Sequence, residues 1–285
     1  MESRLLNRQK VLMLMLEELQ NRGIASKTFL VKSLFLLGQE GNADSGGGNK
    51  LKLYSFYPYK YGPFSSLSYD DLIALEKRGY ITKDRNVTER GRFASQKIRK
   101  TLMPKIKSIV ERFNSQEEIK SYVYKKYPEY TVRSELLPKT TVREKGICTI
   151  GYEGKDIDEF LNMLIKNNVT VLADIRHNPF SMNPSYRRES LKSKLESAGI
   201  RYIHIKNLGI EGSMRKGLVS TEAYTTLFRE YSDRIRKNPA EIEQLTQLGG
   251  NEKVALLCFE NDKNMCHRGI VAEELEKKGI AAVHL

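Results

Sequence analysis

The chain has 285 residues of which 40% are apolar, enough to build ordinary cores in two domains, so a fibrous or disordered protein is excluded. Three cysteines, Cys148, Cys258 and Cys266, are too few for a disulfide framework, and no apolar run approaches the roughly 20 residues of a membrane span. The net charge of +13 is unevenly held: residues 1–143 carry 27 Lys and Arg against 15 Asp and Glu, whereas residues 144–285 carry 21 against 20. A charge excess confined to one half is the footprint of a nucleic-acid or anionic-surface binder, the plainer alternative being a solubilising basic surface. The start of the chain does not read as a signal peptide, so a cytoplasmic location with no membrane partner is expected.

Apolar spacing at Leu5, Leu12, Leu16 and Leu19, with Val11 and Met15, predicts a first helix that stops at Asn21 to Gly23. Ser26 caps a second helix over residues 27–37, with Phe29, Leu30, Leu34 and Leu37 on one face and Gly38 ending it. Residues 39–50, with three consecutive glycines, read as a mobile loop, and no Lys-Ser/Thr pair follows to make it a phosphate loop. The aromatic segment 51–64 leads into a helix over residues 66–78 carrying Leu67, Leu72 and Leu75. Residues 79–88 then predict two short strands around a basic turn, with residues 83–86 as its tip.

A glycine-ended helix followed by such a turn resembles the winged-helix modules of bacterial and archaeal regulators and of Panacea-type antitoxin domains. The phrases that carry it are Tyr61-Gly-Pro-Phe64 and Leu75-Glu-Lys-Arg-Gly-Tyr-Ile81. The helix over 66–78 holds Asp70, Asp71 and Glu76, which argues against base readout by it. Phosphate contact through Lys83, Arg85, Arg90, Arg92, Lys97, Arg99 and Lys100 needs only positioned positive charge. A protein-interaction or dimerisation role competes with this reading. Tyr54, Tyr57, Tyr59 and Tyr61 suit base stacking or, more commonly, a core. Residues 89–127 continue as a basic helix with Ile106, Ile109, Val110 and Phe113 on one side, broken at Tyr127-Pro128, and the stretch to residue 143 reads as linker. The expected organisation is a winged-helix-like domain at 1–95, a basic helical linker at 96–143 and an α/β domain at 144–285.

From residue 146 strands and helices alternate. Strands are predicted at 147–150, 169–175, 201–205, 253–259 and 280–285, with helices at 156–166, 188–198, 221–237, 240–248 and 267–278. Such alternation implies right-handed crossovers and a parallel, Rossmann-like sheet covered on both faces. The dinucleotide fingerprint is absent, so NAD and FAD are not expected, and no cofactor is assigned. The strand ends carry the ionisable groups: Tyr152 and Glu153, Asp174 and Arg176 with Ser181, Tyr186 and Arg187, His204 and Lys206, then Cys258, Glu260 and Cys266-His267-Arg268.

Thr149-Ile-Gly-Tyr152, Asp174-Ile-Arg176 with Pro179 and Ser181, the 199–209 stretch with His204 and Gly209, Leu257-Cys-Phe-Glu260 and Cys266-His-Arg268 together resemble the domain-of-unknown-function family numbered 488, over about residues 146–285. Where that family usually has a His-Ser pair after the first-strand glycine, this chain has Tyr152-Glu153. The resemblance implies a parallel α/β fold with its site around the Asp-x-Arg and Cys-His-Arg motifs, and no settled activity.

Arg176 and Arg268 suit bidentate capture of a phosphate or carboxylate, with Tyr152, Ser181, Tyr186 and Arg187 as further substrate-binding candidates. Asp174 is read as general base, nucleophile or the partner that orients Arg176, and Glu260 as acid, base or ion-pair partner. Cys266 at a helix N-terminus beside His267 has the setting that lowers a thiol pKa, against the plain reading of a small buried residue. Cys258 reads as core. The spacing of Cys258, Cys266 and His267, with His204 considered beside them, fits no structural zinc motif, so no metal is assigned. The joint expectation is a nucleic-acid-acting enzyme, a base glycosidase or nucleotide-modifying hydrolase on modified or plain DNA ahead of RNA, in phage defence or repair. The alternatives are a non-catalytic DNA-binding sensor of an anionic nucleotide-like ligand and a toxin–antitoxin component acting through protein contacts; a homodimer is compatible with all three.

Overall fold

The computed structural model describes residues 5–41, 53–137, 144–215 and 221–285. The chain divides into two compact units, Met1–Lys139 and Thr140–Leu285. Most of the glycine loop expected at 39–50, and the last part of the linker expected up to 143, lie outside the described residues.

In the first unit α1 (Asn7–Asn21) is buried on nearly every side. Val11 to Leu16 are all at most 2% exposed, as suits a helix wrapped by others. α2 (Lys27–Glu40) is capped by the Ser26 hydroxyl, which accepts from the Phe29 amide. Gly38 does not end it: the helix runs through this residue, where a Cβ would meet open space, and stops at Gly41. The aromatic segment forms a hairpin, β1 (Tyr57–Tyr59) with β2 (Gly62–Phe64), in which Tyr57, Tyr59 and Phe64 pack on one another. Tyr54 and Tyr57 are core residues, and only Tyr61 of the four tyrosines is well exposed.

α3 (Ser66–Lys77) follows. Asp71 on it is buried and accepts from Arg8, Gln9 and Tyr54, so it holds α1 rather than facing a ligand. The two strands expected around residues 83–86 reduce to one antiparallel bridge, Ile81 to Val87, closed by a tight turn with Arg85 in the left-handed region (φ 63°). The single helix expected over 89–127 is two, α4 (Glu89–Val110) and α5 (Gln116–Lys126), separated by a break at which the Ser115 hydroxyl caps α5. Nor are residues 96–126 a linker: Met103, Ile106, Ile109, Val110, Ile119 and Val123 belong to the same core as α1 and α2.

The second unit is a five-stranded parallel sheet with helices. Its strands are β3 (Gly146–Gly151), β4 (Val171–Asp174), β5 (Arg201–His204), β6 (Lys253–Cys258) and β7 (Ala282–His284), in the spatial order β5-β4-β6-β3-β7. The connecting helices are α6 (Ile157–Lys166), α7 (Arg188–Ser197), α8 (Thr221–Lys237), α9 (Ala240–Asn251) and α10 (His267–Lys277). Alternate strand residues, Ile147, Val171, Ala173, Val254 and Leu256, share a core with Tyr231, Leu245, Val271 and Leu275 of α8 to α10. The intervening residues Cys148, Ile150, Leu172 and Leu257 are buried on the opposite face. Burial on both faces is why these strands read as continuous apolar runs.

The chain leaves β3 and β4 toward the β5 edge but leaves β6 toward the β7 edge, and β6 lies between β3 and β4. Beyond the carboxyl ends of these three strands the connections diverge, opening the crevice in which such sheets bind ligands.

Candidate functional site

β4 ends on Asp174, fully buried, and its carboxylate is saturated from three directions. One oxygen accepts from the Arg176 amide at 3.1 Å and from Arg176 Nε at 2.8 Å; the other accepts from Arg176 Nη2 at 2.6 Å and from the Tyr202 hydroxyl at 2.8 Å. Burial and Asp174 both push the Tyr202 phenol up, so the proton stays on the tyrosine. Arg176 Nη1 donates to the Tyr152 hydroxyl at 3.2 Å and to the Tyr186 carbonyl at 3.0 Å. These bonds use four of the five guanidinium N–H groups. Asp174 is therefore the partner that orients Arg176, and Arg176 braces the crevice wall rather than gripping an anion with both arms.

Arg268 corrects a second expectation. Although it opens a helix, it is 1% exposed and its guanidinium is turned back into the β6–α10 loop, onto the carbonyls of Glu260 and Asn261. The end of β3 completes that loop's seating: a Cβ on Gly151 would stand 1.8 Å from the Glu260 carbonyl oxygen, so only glycine lets the two backbones meet. Arg268 is thus a clamp for the loop and not one wall of an anion cleft.

A pocket of about 610 Å³ sits at this strand edge, lined among others by Tyr152, Lys155, Arg176, His177, Phe180, Ser181, Tyr186, Cys258, Phe259 and His267. Tyr152 and Tyr186 stack on each other (4.2 Å between centroids, 16° between planes), so neither ring pair is free to sandwich a base. The exposed rings there are Phe180 and Phe259, which spacing alone does not single out. Ser181 accepts from the Asn183 amide, and Arg187 lies outside the lining, bonded to the Ser181 carbonyl and set over the Phe180 ring. His204 touches the Arg176 carbonyl at 2.9 Å.

At the pocket wall Cys258 and His267 meet two residues just behind it, Glu260 and Cys266. Cys258 Sγ donates to a Glu260 carboxylate oxygen at 3.2 Å and lies 3.7 Å from His267 Nδ1. His267 Nε2 sits 3.1 Å from the Ile175 carbonyl, which fixes the proton on Nε2, and Cys258 Sγ stands nearly equidistant from the two ring nitrogens, 3.7 Å from Nδ1 and 3.9 Å from Nε2. Ligand atoms of Cys258, Cys266 and His267 all lie within 4.8 Å of one another.

The spacing argument against such a cluster fails because Cys266 is the N-cap of α10, with extended backbone (φ −140°, ψ 137°), while His267 is the first helical residue. The backbone bends between them, so neighbours in sequence turn to the same place. Burial opposes ionisation of Cys266, but hydrogen bonds from Cys258 and His267 outweigh it and bring this thiol down to about 6. Cys258 is pushed the other way, by its bond to Cys266 and then by burial. Glu260 is lowered despite burial by hydrogen bonds from the two thiols. Two thiols, an imidazole and a carboxylate thus stand together, a set of groups with the chemistry to hold or move a proton or to bind a soft cation.

Residues 156–275 match the family described as Domain of unknown function DUF488. Among curated proteins, the chain is similar to the DNA polymerase II small subunit of Pyrococcus abyssi (strain GE5 / Orsay), 26% identical over 142 residues, 47% of this chain and 21% of that protein. The chain thus spans about a fifth of that relative's length. No solved structure matches the chain significantly.

In the first unit Lys83, Arg90, Arg92, Lys97 and Lys100 are exposed, whereas Arg85 and Arg99 are half-buried. Arg99 is bound to Glu17 at 2.6 Å, Arg92 reaches the Val87 carbonyl, and Arg90 lies over the Tyr80 ring. Arg92, Lys97 and Lys100 share the solvent face of α4 with Phe93, which is 80% exposed. No described helix is long and apolar enough to cross a membrane.

Proposed function

We propose that this protein is a nucleic-acid-acting hydrolase of the base-releasing or nucleotide-modifying kind, in which the basic first unit holds the polyanion and the DUF488 unit takes a single nucleotide. The observation that carries this reading is that Cys258 and His267, with Glu260 and Cys266 against them, stand in the wall of a pocket large enough for a nucleotide and edged by Phe180 and Phe259. Proton handling falls to Glu260 and His267. Asp174 and Arg176 act as the frame. Support from outside the site comes from the charge excess of residues 1–143 and from the partial similarity to a subunit named for DNA polymerase.

The test is an assay of the purified protein on plain and modified DNA and RNA, read for released base, altered nucleotide and strand change. Turnover that disappears in folded Glu260→Gln and His267→Asn variants is the expected result. If no substrate turns over, the reading falls, and salt-dependent DNA binding modulated by a small anionic ligand would assign the protein to regulation instead.

A further inference from the structure

We infer that Cys258, Cys266 and His267 bind a zinc-class divalent cation, with the fourth coordination position open to the pocket. Tetrahedral zinc, with bonds of about 2.3 Å to sulfur and about 2.0–2.1 Å to nitrogen, places its donors roughly 3.5–3.8 Å apart. Cys258 Sγ and His267 Nδ1 already stand 3.7 Å apart, and all three donors fall within 4.8 Å. Completing the triangle takes a closer approach of the donors and a turn of the imidazole that brings Nδ1 to face the sulfurs, since Cys258 Sγ also lies 3.9 Å from Nε2.

The orientation of the imidazole is a second, independent sign. Metal-binding histidines almost always donate their other ring N–H to a carbonyl or carboxylate. His267 Nε2 stands at 3.1 Å from the Ile175 carbonyl, leaving Nδ1 for the ion.

The donor types choose the ion. Two thiolates and an imidazole favour zinc over calcium or magnesium, which take oxygen. Three protein ligands rather than four leave a position for water or substrate, as in catalytic rather than structural sites. Cys258 and His267 line the pocket, so that position faces its contents, with Glu260 beside it. Ion binding does not rest on the hydrolase reading; only the use of the open position does.

The test is metal analysis and cobalt substitution of the full chain, purified without a metal-affinity tag. One zinc per chain is expected by native mass spectrometry. Cobalt(II) should give a sulfur-to-metal charge-transfer band and tetrahedral d–d bands, both lost in Cys258→Ser, Cys266→Ser and His267→Asn and kept in Cys148→Ala. Circular dichroism checks that each variant folds; where one does not, the unmutated chain decides, since absence of stoichiometric ion under saturating zinc overturns the inference. A Cys258–Cys266 disulfide in chain isolated without reductant and able to take up no metal after reduction would overturn it too. Metal bound without turnover on any nucleic acid would keep the site and remove the hydrolase.

Discussion

Lys32 shows how one buried charge sets a pH response. It is 3% exposed and donates Nζ–H to the Pro63 carbonyl at 2.8 Å, and burial brings its pKa down to about 7. An unfolded lysine titrates near about 10.4, so between the two values the unfolded chain binds more protons and stability rises with pH. Lys32→Met should raise the melting temperature at pH 7, where folding still costs the lysine much of the proton it keeps when unfolded. Near pH 10 that gain should vanish, leaving the loss of one hydrogen bond worth about 1 kcal/mol. Thermal melts at the two pH values decide it, and an equal gain at both would sink the account. Asp174 makes the opposite point. Asp174→Ala strips a buried arginine of its partner, which costs about 3–5 kcal/mol, so lost activity in that variant reports unfolding. Calorimetry should show the drop, and a variant as stable as the parent would return Asp174 to the list of catalytic candidates.

At the scale of elements, Glu40 at the end of α2 gathers Arg112, Lys126, Tyr122 and Tyr127 from the α4–α5 region. Burial opposes its ionisation, but the hydrogen bonds from Arg112, Lys126 and Tyr127 bring its carboxyl to about 2. A depressed carboxyl stabilises fully above its unfolded value, near about 4.3, and the contribution is lost as pH falls toward 2. Glu40→Gln should therefore lower stability at neutral pH by about 1 kcal/mol, with parent and variant converging near pH 2 in acid titrations followed by circular dichroism. On α4, Lys97→Ala with Lys100→Ala should reduce the salt slope of nucleic-acid binding by about 2, whereas Arg99→Ala, which breaks the pair with Glu17, should cost stability first. Filter binding across salt concentrations separates them. The strand and helix alternation of the second unit was legible because buried parallel strands are apolar without interruption, and β6 is the plainest case. The extent of the first core was not. The apolar positions of α4 are separated by lysines and arginines on its solvent side, so residues 96–126 read as a basic tether. The arrangement at the strand ends was half legible: the residues expected there do meet around one crevice, but residue type does not say where a guanidinium points, and Arg268 and Arg176 turned inward. The Cys266-His267 pairing depended on one extended N-cap that spacing rules do not see.

Across the whole molecule, the two units differ in charge. Each has its own apolar core, and nearly all the excess positive charge lies in residues 1–143. Polyelectrolyte attraction scales with the phosphates neutralised, so the first unit should hold almost the entire salt-dependent affinity for nucleic acid. A separate second unit, with 21 basic against 20 acidic residues, has no comparable long-range pull, yet it keeps the pocket and the Cys258–His267 group. Expressed as residues 144–285, it should process a free mononucleotide or nucleoside with nearly the kcat of the full chain, because the reacting groups and the pocket are intact. On polymer its KM should rise by about 10-fold or more at moderate salt, since the binding energy supplied by the first unit is gone, and the difference should close as salt screens both proteins. Steady-state kinetics on both substrates across a salt series give the measurement. A fall in kcat on the small substrate would show that the first unit takes part in the chemistry, and an unchanged polymer KM would show that its basic surface serves some other partner.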